Sequence, residues 1–174
     1  MTVLASFLRG INVGGKTNIG MPALAHVYED LGLIDVRTVL RSGNVVFRGK
    51  RTGKQIEDAI EKEFAFRPRV FLRTRDELRQ ALESNPFPDA ARDDPAHLLI
   101  MFFEKPPDAG KLPAYRGPER TRLVGRDLYL YYPEGIGRSR LNPFIDRNIE
   151  DRGTARNWNT VSKLAQICSA MEAE

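Results

Sequence analysis

The sequence predicts an α+β protein built from two tandem ferredoxin-like subdomains of the β-α-β-β-α-β type, with a C-terminal helix. Three observations predict this class. Short apolar runs alternate with segments of helical periodicity, two pairs of runs flank tight turns, and the order of elements recurs once along the chain. We expect the first subdomain with its following helix at residues 1–84, a connector at 85–96 and a divergent second subdomain at 97–174.

The first subdomain opens with an apolar strand whose two faces we expect to be covered, Val3–Leu8. A helix should follow at Met21–Leu31, since Pro22 suits a first helical turn and Gly32 a C-terminal stop. The turn Arg41-Ser42-Gly43-Asn44 predicts a β-hairpin because glycine and asparagine tolerate positive φ. The remaining elements are the hairpin strands Val36–Leu40 and Val45–Phe47, a helix from Lys54 to Phe64 and a strand at Arg69–Leu72.

The second subdomain repeats most of this order. A helix at Asp76–Leu82, capped by Thr74, and a polar, proline-bearing connector come before it. Its predicted elements are a strand at Leu98–Phe103, a turn or helical segment at Pro107–Leu112, a hairpin of Arg122–Val124 and Leu128–Tyr131, and helices at Ser139–Ile149 and Thr154–Met171. In this prediction the second subdomain lacks its last strand.

Composition indicates an ordinary globular protein. The 174 residues carry 27 Lys+Arg and 23 Asp+Glu, a net charge of +4, which permits anionic partners but is too small for a nucleic-acid-binding tail. The single cysteine, Cys168, excludes an internal disulfide and is expected to be a buried apolar residue. No apolar run is long enough for a signal peptide or a membrane span, so we expect a cytoplasmic protein.

Residues 10–17 match the P-loop pattern G-x-x-x-x-G-K-T. A P-loop must lead directly into a helix, with its lysine and hydroxyl in the first turn. Here Gly20 and Pro22 place the helix start near Met21, so we interpret Lys16 and Thr17 as loop residues. A nucleotide-dependent phosphotransferase or NTPase remains an alternative function.

The predicted topology places the loop after the first strand and the hairpin turn at one edge of a sheet, together with Arg67. We therefore expect a cationic site, rich in backbone donors, that binds a phosphate-bearing small molecule or another anion. Glycines would expose N–H groups, arginine and lysine would supply charge, and Asn12 and Asn44 would orient the ligand. The site residues are Arg9, Gly10, Asn12, Gly14, Gly15, Lys16, Arg41, Ser42, Gly43 and Asn44.

A purely structural role is the competing interpretation of these residues. The glycines would make a tight loop, the asparagines would bond their own backbone, and Arg9 would pair with a carboxylate such as Glu63. An electrostatic nucleic-acid or protein adaptor is a third hypothesis. The stacking aromatics of RNA-recognition domains are missing from the strands, so nucleic acid could be contacted only through loops.

Two further segments have alternative interpretations. Arg156 and Asn157 could bind an anion at a helix N-terminus, or Asn157 could simply cap the helix in front of a core Trp158. The segment Gly135–Arg140 could be a second anion loop, or a turn followed by a helix capped by Ser139. Neither His26 nor His97 has a partner in sequence that indicates a catalytic pair or a metal site, so we predict no catalytic constellation, metal or cofactor.

Four segments of the chain have distinctive motifs: residues 8–16 (L-R-G-I-N-V-G-G-K), 42–47 (S-G-N-V-V-F), 135–139 (G-I-G-R-S) and 154–161 (T-A-R-N-W-N-T-V). Together they resemble the bacterial family called domain of unknown function 1697. The resemblance spans nearly the whole chain and implies two ferredoxin-related α+β halves with no assigned activity. In the family pattern asparagine is common at the position of Thr17 and glutamine at that of Arg41, which makes a P-loop hydroxyl and a shared role for Arg41 doubtful.

Overall fold

The computed structural model describes residues 1–15 and 17–174. It contains two four-stranded antiparallel sheets with helices, a mixed α+β architecture. Two compact units divide the chain: Met1–Arg79 together with Leu164–Glu174, and Gln80–Lys163. The expected domain limits at residues 84 and 97 stay a prediction.

The first unit contains one sheet with the strand order β2-β3-β1-β4. Its β-α-β-β-α-β order is the one predicted from the sequence. The elements are β1 (Val3–Arg9), α1 (Met21–Asp30), β2 (Ile34–Val39), β3 (Asn44–Arg48), α2 (Gly53–Phe64), β4 (Arg69–Thr74) and α3 (Arg75–Glu83), whose last residues fall in the second unit.

Two helices of the first unit, α2 and α3, begin where side chains satisfy their free N–H groups. Thr52 and Gln55 form a reciprocal capping box at α2, with hydrogen bonds of 3.2 and 2.9 Å. Thr74 and Glu77 do the same for α3, which confirms the predicted cap at Thr74. α1 begins at Met21 with Pro22 in its first turn, also as predicted.

The core of the first unit lies between one face of its sheet and the helices α1 and α2. Apolar side chains at helical spacing on α1, among them Leu24 and Val27, pack with Ile56 and Ile60 of α2. Tyr28 is fully buried there, with its hydroxyl 2.8 Å from Ser6 Oγ and its ring centroid 5.4 Å from that of Phe47. Side chains on both faces of β1 and β3 are buried, as expected for strands apolar at almost every residue.

The C-terminal residues Leu164–Glu174 belong to the first unit. Arg48 of β3 donates to the carbonyl of Met171, and Arg75 forms an ion pair of 2.6 Å with Glu172. Residues far apart in sequence therefore complete this unit.

The second unit contains a sheet with the order β6-β7-β5-β8. Its elements are α4 (Pro88–Asp93), β5 (Leu98–Phe102), β6 (Arg120–Val124), β7 (Asp127–Tyr131), α5 (Leu141–Asn148), β8 (Thr154–Asn157) and α6 (Trp158–Ala173), which continues into the first unit. Short 3₁₀ turns lie at Pro95–His97 and Leu112–Ala114.

Two features of the second unit differ from the expectation. The predicted helix at Thr154–Met171 is wrong at its start, because Thr154–Asn157 is a strand that pairs antiparallel with β5. The second unit therefore has a last strand, β8, although it was expected to lack one. The connector at 85–96 contains α4, which Pro88 permits because it lies in the first helical turn.

Candidate functional site

The segment of residues 9–20, described except for residue 16, lies beside the β2–β3 turn of residues 40–43. We call the two segments together the glycine-loop edge. Asn12 joins them, because its Nδ2 donates to the carbonyl of Arg41 at 2.7 Å and its Oδ1 accepts from the N–H of Ile19 at 2.8 Å. The N–H of Leu8 donates to the carbonyl of Gly43 at 2.8 Å. The loop after β1 and the β2–β3 turn are therefore neighbours, as the predicted topology led us to expect.

The loop also closes on itself. The N–H of Asn12 donates to the carbonyl of Thr17 at 2.9 Å, and Thr17 Oγ1 donates to the carbonyl of Gly10 at 2.8 Å. Asn12 has a φ of +54°, a left-handed conformation that asparagine tolerates. Because α1 begins only at Met21, Thr17 lies in the loop and outside the first helical turn. This geometry differs from that of a P-loop, whose hydroxyl stands in the first turn of the helix.

The two asparagines of the expected site bond within the protein. Asn44 is fully buried, and its Nδ2 donates to the carbonyl of Val39 at 2.8 Å and to Ser42 Oγ at 3.0 Å. Asn12 links the loop to the turn as described. These contacts are those of the structural interpretation, in which the carboxamides hold the backbone of the two segments.

The cations of the expected site have different surroundings. Arg9 and Arg41 are exposed, and neither forms an ion pair with a residue that the structure describes, Glu63 included. Lys16 lies outside the described residues. Arg67 instead contacts three carboxylates of α2, those of Glu57, Asp58 and Glu61, which raise the pKa of its guanidinium. Its charge is therefore compensated within the first unit.

The glycines of the loop are exposed and face open space. Gly10, Gly14 and Gly15 have φ values of +84°, +69° and +79°, and a Cβ atom added at any of them would meet nothing within 4 Å. The N–H groups of Gly14 and Gly15 donate to no residue in the described part of the chain. Gly43 differs, because it is buried and a Cβ there would lie 2.7 Å from Ile11 Cδ1.

Arg156 and Asn157 do not form exposed donors at a helix start. Arg156 lies on β8 and is 8% exposed, and its Nη1 donates to Thr154 Oγ1 at 2.8 Å and to the carbonyl of Ala155 at 2.9 Å. Burial lowers the pKa of this guanidinium to about 10. Asn157 caps α6, since its Oδ1 accepts from the N–H of Thr160 at 2.9 Å. The expectation of a helix N-terminus at Arg156 is therefore wrong, because Arg156 is a buried strand residue.

Each of the two histidines lies beside a single carboxylate. His26 lies 3.0 Å from Glu29 on the exposed side of α1, and His97 lies 2.9 Å from Asp94. Within residues 1–15 and 17–174 there is no group of three His, Cys, Asp or Glu side chains that could hold a metal ion. None of the helices described is long and apolar enough to cross a membrane.

Sequence reasoning missed one polar cluster of the second unit. Ser139 Oγ accepts from the N–H of Leu141 at the start of α5, close to the expected cap, and it also donates to Glu119. Glu119 in turn accepts from Tyr115. Ser139 and Glu119 are twenty residues apart in sequence, and only the fold shows that the residues expected as a second anion loop share a cavity with Glu119.

The sequence matches the family described as Protein of unknown function (DUF1697) over residues 1–129. The chain belongs to this family. The matched DUF1697 region includes the whole glycine-loop edge. The structure resembles that of the conserved bacterial protein SP0830 from Streptococcus pneumoniae, with a TM-score of 0.70 and 23% sequence identity over 96% of this chain and 98% of that chain. At this identity the likeness shows the fold alone. A comparison with curated proteins gave no match.

Proposed function

We propose that the glycine-loop edge binds a phosphate-bearing small molecule or another small anion. One observation carries the proposal: Arg9 and Arg41 are exposed beside a glycine-rich loop, and no described carboxylate compensates their charge. Arginine donates two parallel hydrogen bonds to phosphate or carboxylate, and these charge-assisted bonds are about twice as strong as neutral ones.

The hydrogen bonds of Asn12 support the proposal in a different way from the role first expected for this residue. Asn12 bonds both the N–H of Ile19 and the turn, and it thereby ties the two ends of the loop that carries Gly14 and Gly15 to the hairpin. A pre-ordered loop loses less conformational entropy on binding. The positive φ of the glycines suits a concave backbone of the kind that surrounds anions.

The start of α1, which follows the loop in sequence, has no carboxylate or other side-chain cap. Its N-cap, Gly20, provides no side-chain hydrogen bond, and no acidic residue lies in the first turn. The free N–H groups of a helix N-terminus favour a nearby negative charge by about 0.3–1 kcal/mol at an exposed position.

A thermal-shift screen tests the proposal. Inorganic phosphate, sugar phosphates and nucleotides are added to the wild type and to the variants Arg9→Gln, Arg41→Gln and Lys16→Ala. A ligand at 100 times its dissociation constant stabilises the folded state by about 2.7 kcal/mol, so a specific ligand raises Tm clearly in the wild type. We expect this rise to shrink in all three variants.

Lys54→Gln on α2 is the matched control, because it removes one exposed positive charge away from the edge. A rise that is equally reduced in the control would show only an effect of net charge. No rise with any compound, or a rise unaffected by the edge variants, would refute the proposal. Two outcomes would favour the alternatives: magnesium-dependent ATP turnover abolished by Lys16→Ala, or nucleic-acid binding that weakens steeply with salt.

We also propose that the two units are tandem ferredoxin-like subdomains of a cytoplasmic protein. Counted within each unit, the strands of both sheets follow the order 2-3-1-4. A residue-level match supports duplication. Arg73 is buried on the last strand of the first unit and is followed by the cap Thr74, whereas Arg156 is buried on the last strand of the second and is followed by the cap Asn157.

A further inference from the structure

A cavity of about 400 Å³ lies in the second unit, outside the glycine-loop edge. Residues 115–119, which come before β6, form one wall, and residues 134–140, between β7 and α5, form the other. Its charged lining consists of Arg116, Arg138, Arg140, Glu119 and Glu134. The volume falls within the range of small-molecule sites, about 300–1,000 Å³.

Two hydroxyl groups hold the carboxylate of Glu119 in one orientation. The hydroxyl of Tyr115 donates to Oε2 at 2.8 Å, and Ser139 Oγ donates to Oε1. Burial raises the pKa of this carboxyl, but the hydrogen bonds from Ser139 and Tyr115 outweigh burial and bring the pKa below its ordinary value. Glu119 is therefore ionised at neutral pH, which makes it a hydrogen-bond acceptor and a poor general base for Ser139.

Gly117 leaves the room that this arrangement needs. A Cβ atom at this position would lie 2.5 Å from Glu119 Oε2 and 2.5 Å from the hydroxyl of Tyr115. Any larger residue would displace the pair. The Tyr115 hydroxyl and the Glu119 carboxylate can therefore stay hydrogen-bonded on the cavity wall because residue 117 has no side chain.

The arginines of the cavity keep most of their donors for a ligand. Arg138 and Arg140 are exposed, and the guanidinium group of neither forms an ion pair or a hydrogen bond with a residue in the described part of the chain. Arg116 donates from Nη1 to the carbonyls of Pro113 and Tyr115. Among the residues that the structure describes, none of these three guanidinium groups has a carboxylate partner. The same cavity contains the carboxylate of Glu119, which two hydroxyl groups already hold.

We propose that this cavity binds a phosphate monoester that also carries hydroxyl groups. The phosphate lies against the arginines, and a ligand hydroxyl donates to a remaining lone pair of Glu119. A phosphate is favoured over a carboxylate because its larger charge and three terminal oxygens can accept bonds from more than one guanidinium. The fixed, ionised Glu119 discriminates against a second acidic group and in favour of a hydroxyl donor.

Isothermal titration calorimetry with ribose 5-phosphate, inorganic phosphate and ribose tests this site. The titrations use the full chain in an Arg9→Gln/Arg41→Gln background, which removes the exposed arginines of the glycine-loop edge and separates the two proposals. We expect ribose 5-phosphate to bind more tightly than either part alone. Arg138→Gln and Arg140→Gln should each weaken its binding about tenfold or more, since each removes charge-assisted hydrogen bonds.

Arg147→Gln is the matched control, because Arg147 is an exposed arginine of α5 that does not line the cavity. The Arg147→Gln variant should bind ribose 5-phosphate with the same affinity as the parent. Glu119→Gln distinguishes recognition of the ligand hydroxyl from a simple effect of charge. In this variant inorganic phosphate should bind as tightly as in the parent or more tightly. The ratio of the affinity for ribose 5-phosphate to that for phosphate should fall severalfold. Circular dichroism verifies that each variant is folded.

Three results would each overturn the proposal. The first is no binding of ribose 5-phosphate up to about 10 mM, which leaves no useful affinity. The second is equal weakening in Arg147→Gln and the two cavity variants. The third is an unchanged ratio of affinities for ribose 5-phosphate and phosphate in Glu119→Gln.

Discussion

Replacing Gly43 by alanine should destabilise the first unit much more than the same change at Gly10. The two glycines have similar backbone conformations, with φ values of +90° and +84°. Alanine at either position must adopt a left-handed conformation, which costs about 1–2 kcal/mol. They differ in their surroundings, because Gly43 is buried against β1 and Gly10 is exposed.

The steric contacts set the size of the difference. A Cβ at Gly43 would lie 2.7 and 2.9 Å from Ile11 Cδ1 and Cγ1 and 3.0 Å from Leu8 Cβ, whereas a Cβ at Gly10 meets nothing within 4 Å. Ile11 and Leu8 are each 1% exposed, so neither can move into solvent. Overpacking of this kind costs about 1–3 kcal/mol, so Gly43→Ala should lose about 2–5 kcal/mol and Gly10→Ala about 1–2 kcal/mol.

Urea denaturation of the wild type and both variants, followed by circular dichroism, measures the two losses. Equal destabilisation by Gly43→Ala and Gly10→Ala would refute the packing argument, because it would leave backbone strain as the whole effect. A loss at Gly10 as large as 2–5 kcal/mol would contradict the open space around that residue.

Three further predictions concern other parts of the chain. Asn12→Ala should speed hydrogen exchange at the N–H of Ile19, which loses its 2.8 Å acceptor, and unchanged exchange measured by NMR would contradict the bridge between loop and turn. Cys168 should react with a thiol reagent at about pH 8 only in denaturant, because burial raises its pKa to about 12; rapid reaction of the native protein would show the thiol to be accessible. The pKa of Glu119 in the folded state lies below the unfolded value of about 4.5, so its carboxylate contributes stability above that pH and loses it as the pH falls through the folded pKa. The difference in free energy of unfolding between wild type and Glu119→Gln should therefore shrink from about pH 6 to pH 3, and a constant difference would argue against the hydroxyl–carboxylate contacts.

The first sheet could be predicted because its signals are local. The apolar run of β1, the helical spacing on α1 and α2 and the turn at Gly43 each depend on neighbouring residues. The order of these elements then follows, and with it the proximity of the loop and the turn. Prediction succeeded where a short segment carries its own periodicity.

β8 could not be predicted in the same way. Its four residues, Thr154–Asn157, include the charged Arg156 and lead directly into a helix, so they lack the apolar alternation of a strand. Pairing with β5, some fifty residues earlier, makes them a strand. The burial of Arg156 follows from that pairing, so this residue is not an exposed donor at a helix start.

The candidate sites show the same limit. Sequence identified the cations near the loop but could not distinguish Arg67, which three carboxylates of α2 surround, from Arg9, which has no such partner in the part of the chain described. It suggested Ser139 as a helix cap but not its bond to Glu119, because that contact depends on how the ends of β6 and β7 meet. Whether a charged side chain has an oppositely charged partner depends on contacts that form only in the folded protein.

The division of the helix α6 between the units has a consequence for how this protein can be cut. The first unit includes Leu164–Glu174, and its partners Arg48 and Arg75 lie in the amino-terminal part of the chain. A fragment that stops at the connector therefore lacks a piece of its own unit, and the piece is translated long after the rest. Dissection at residues 85–96 would leave an incomplete amino-terminal fragment, whereas supplying the missing helix segment as a separate peptide should restore it.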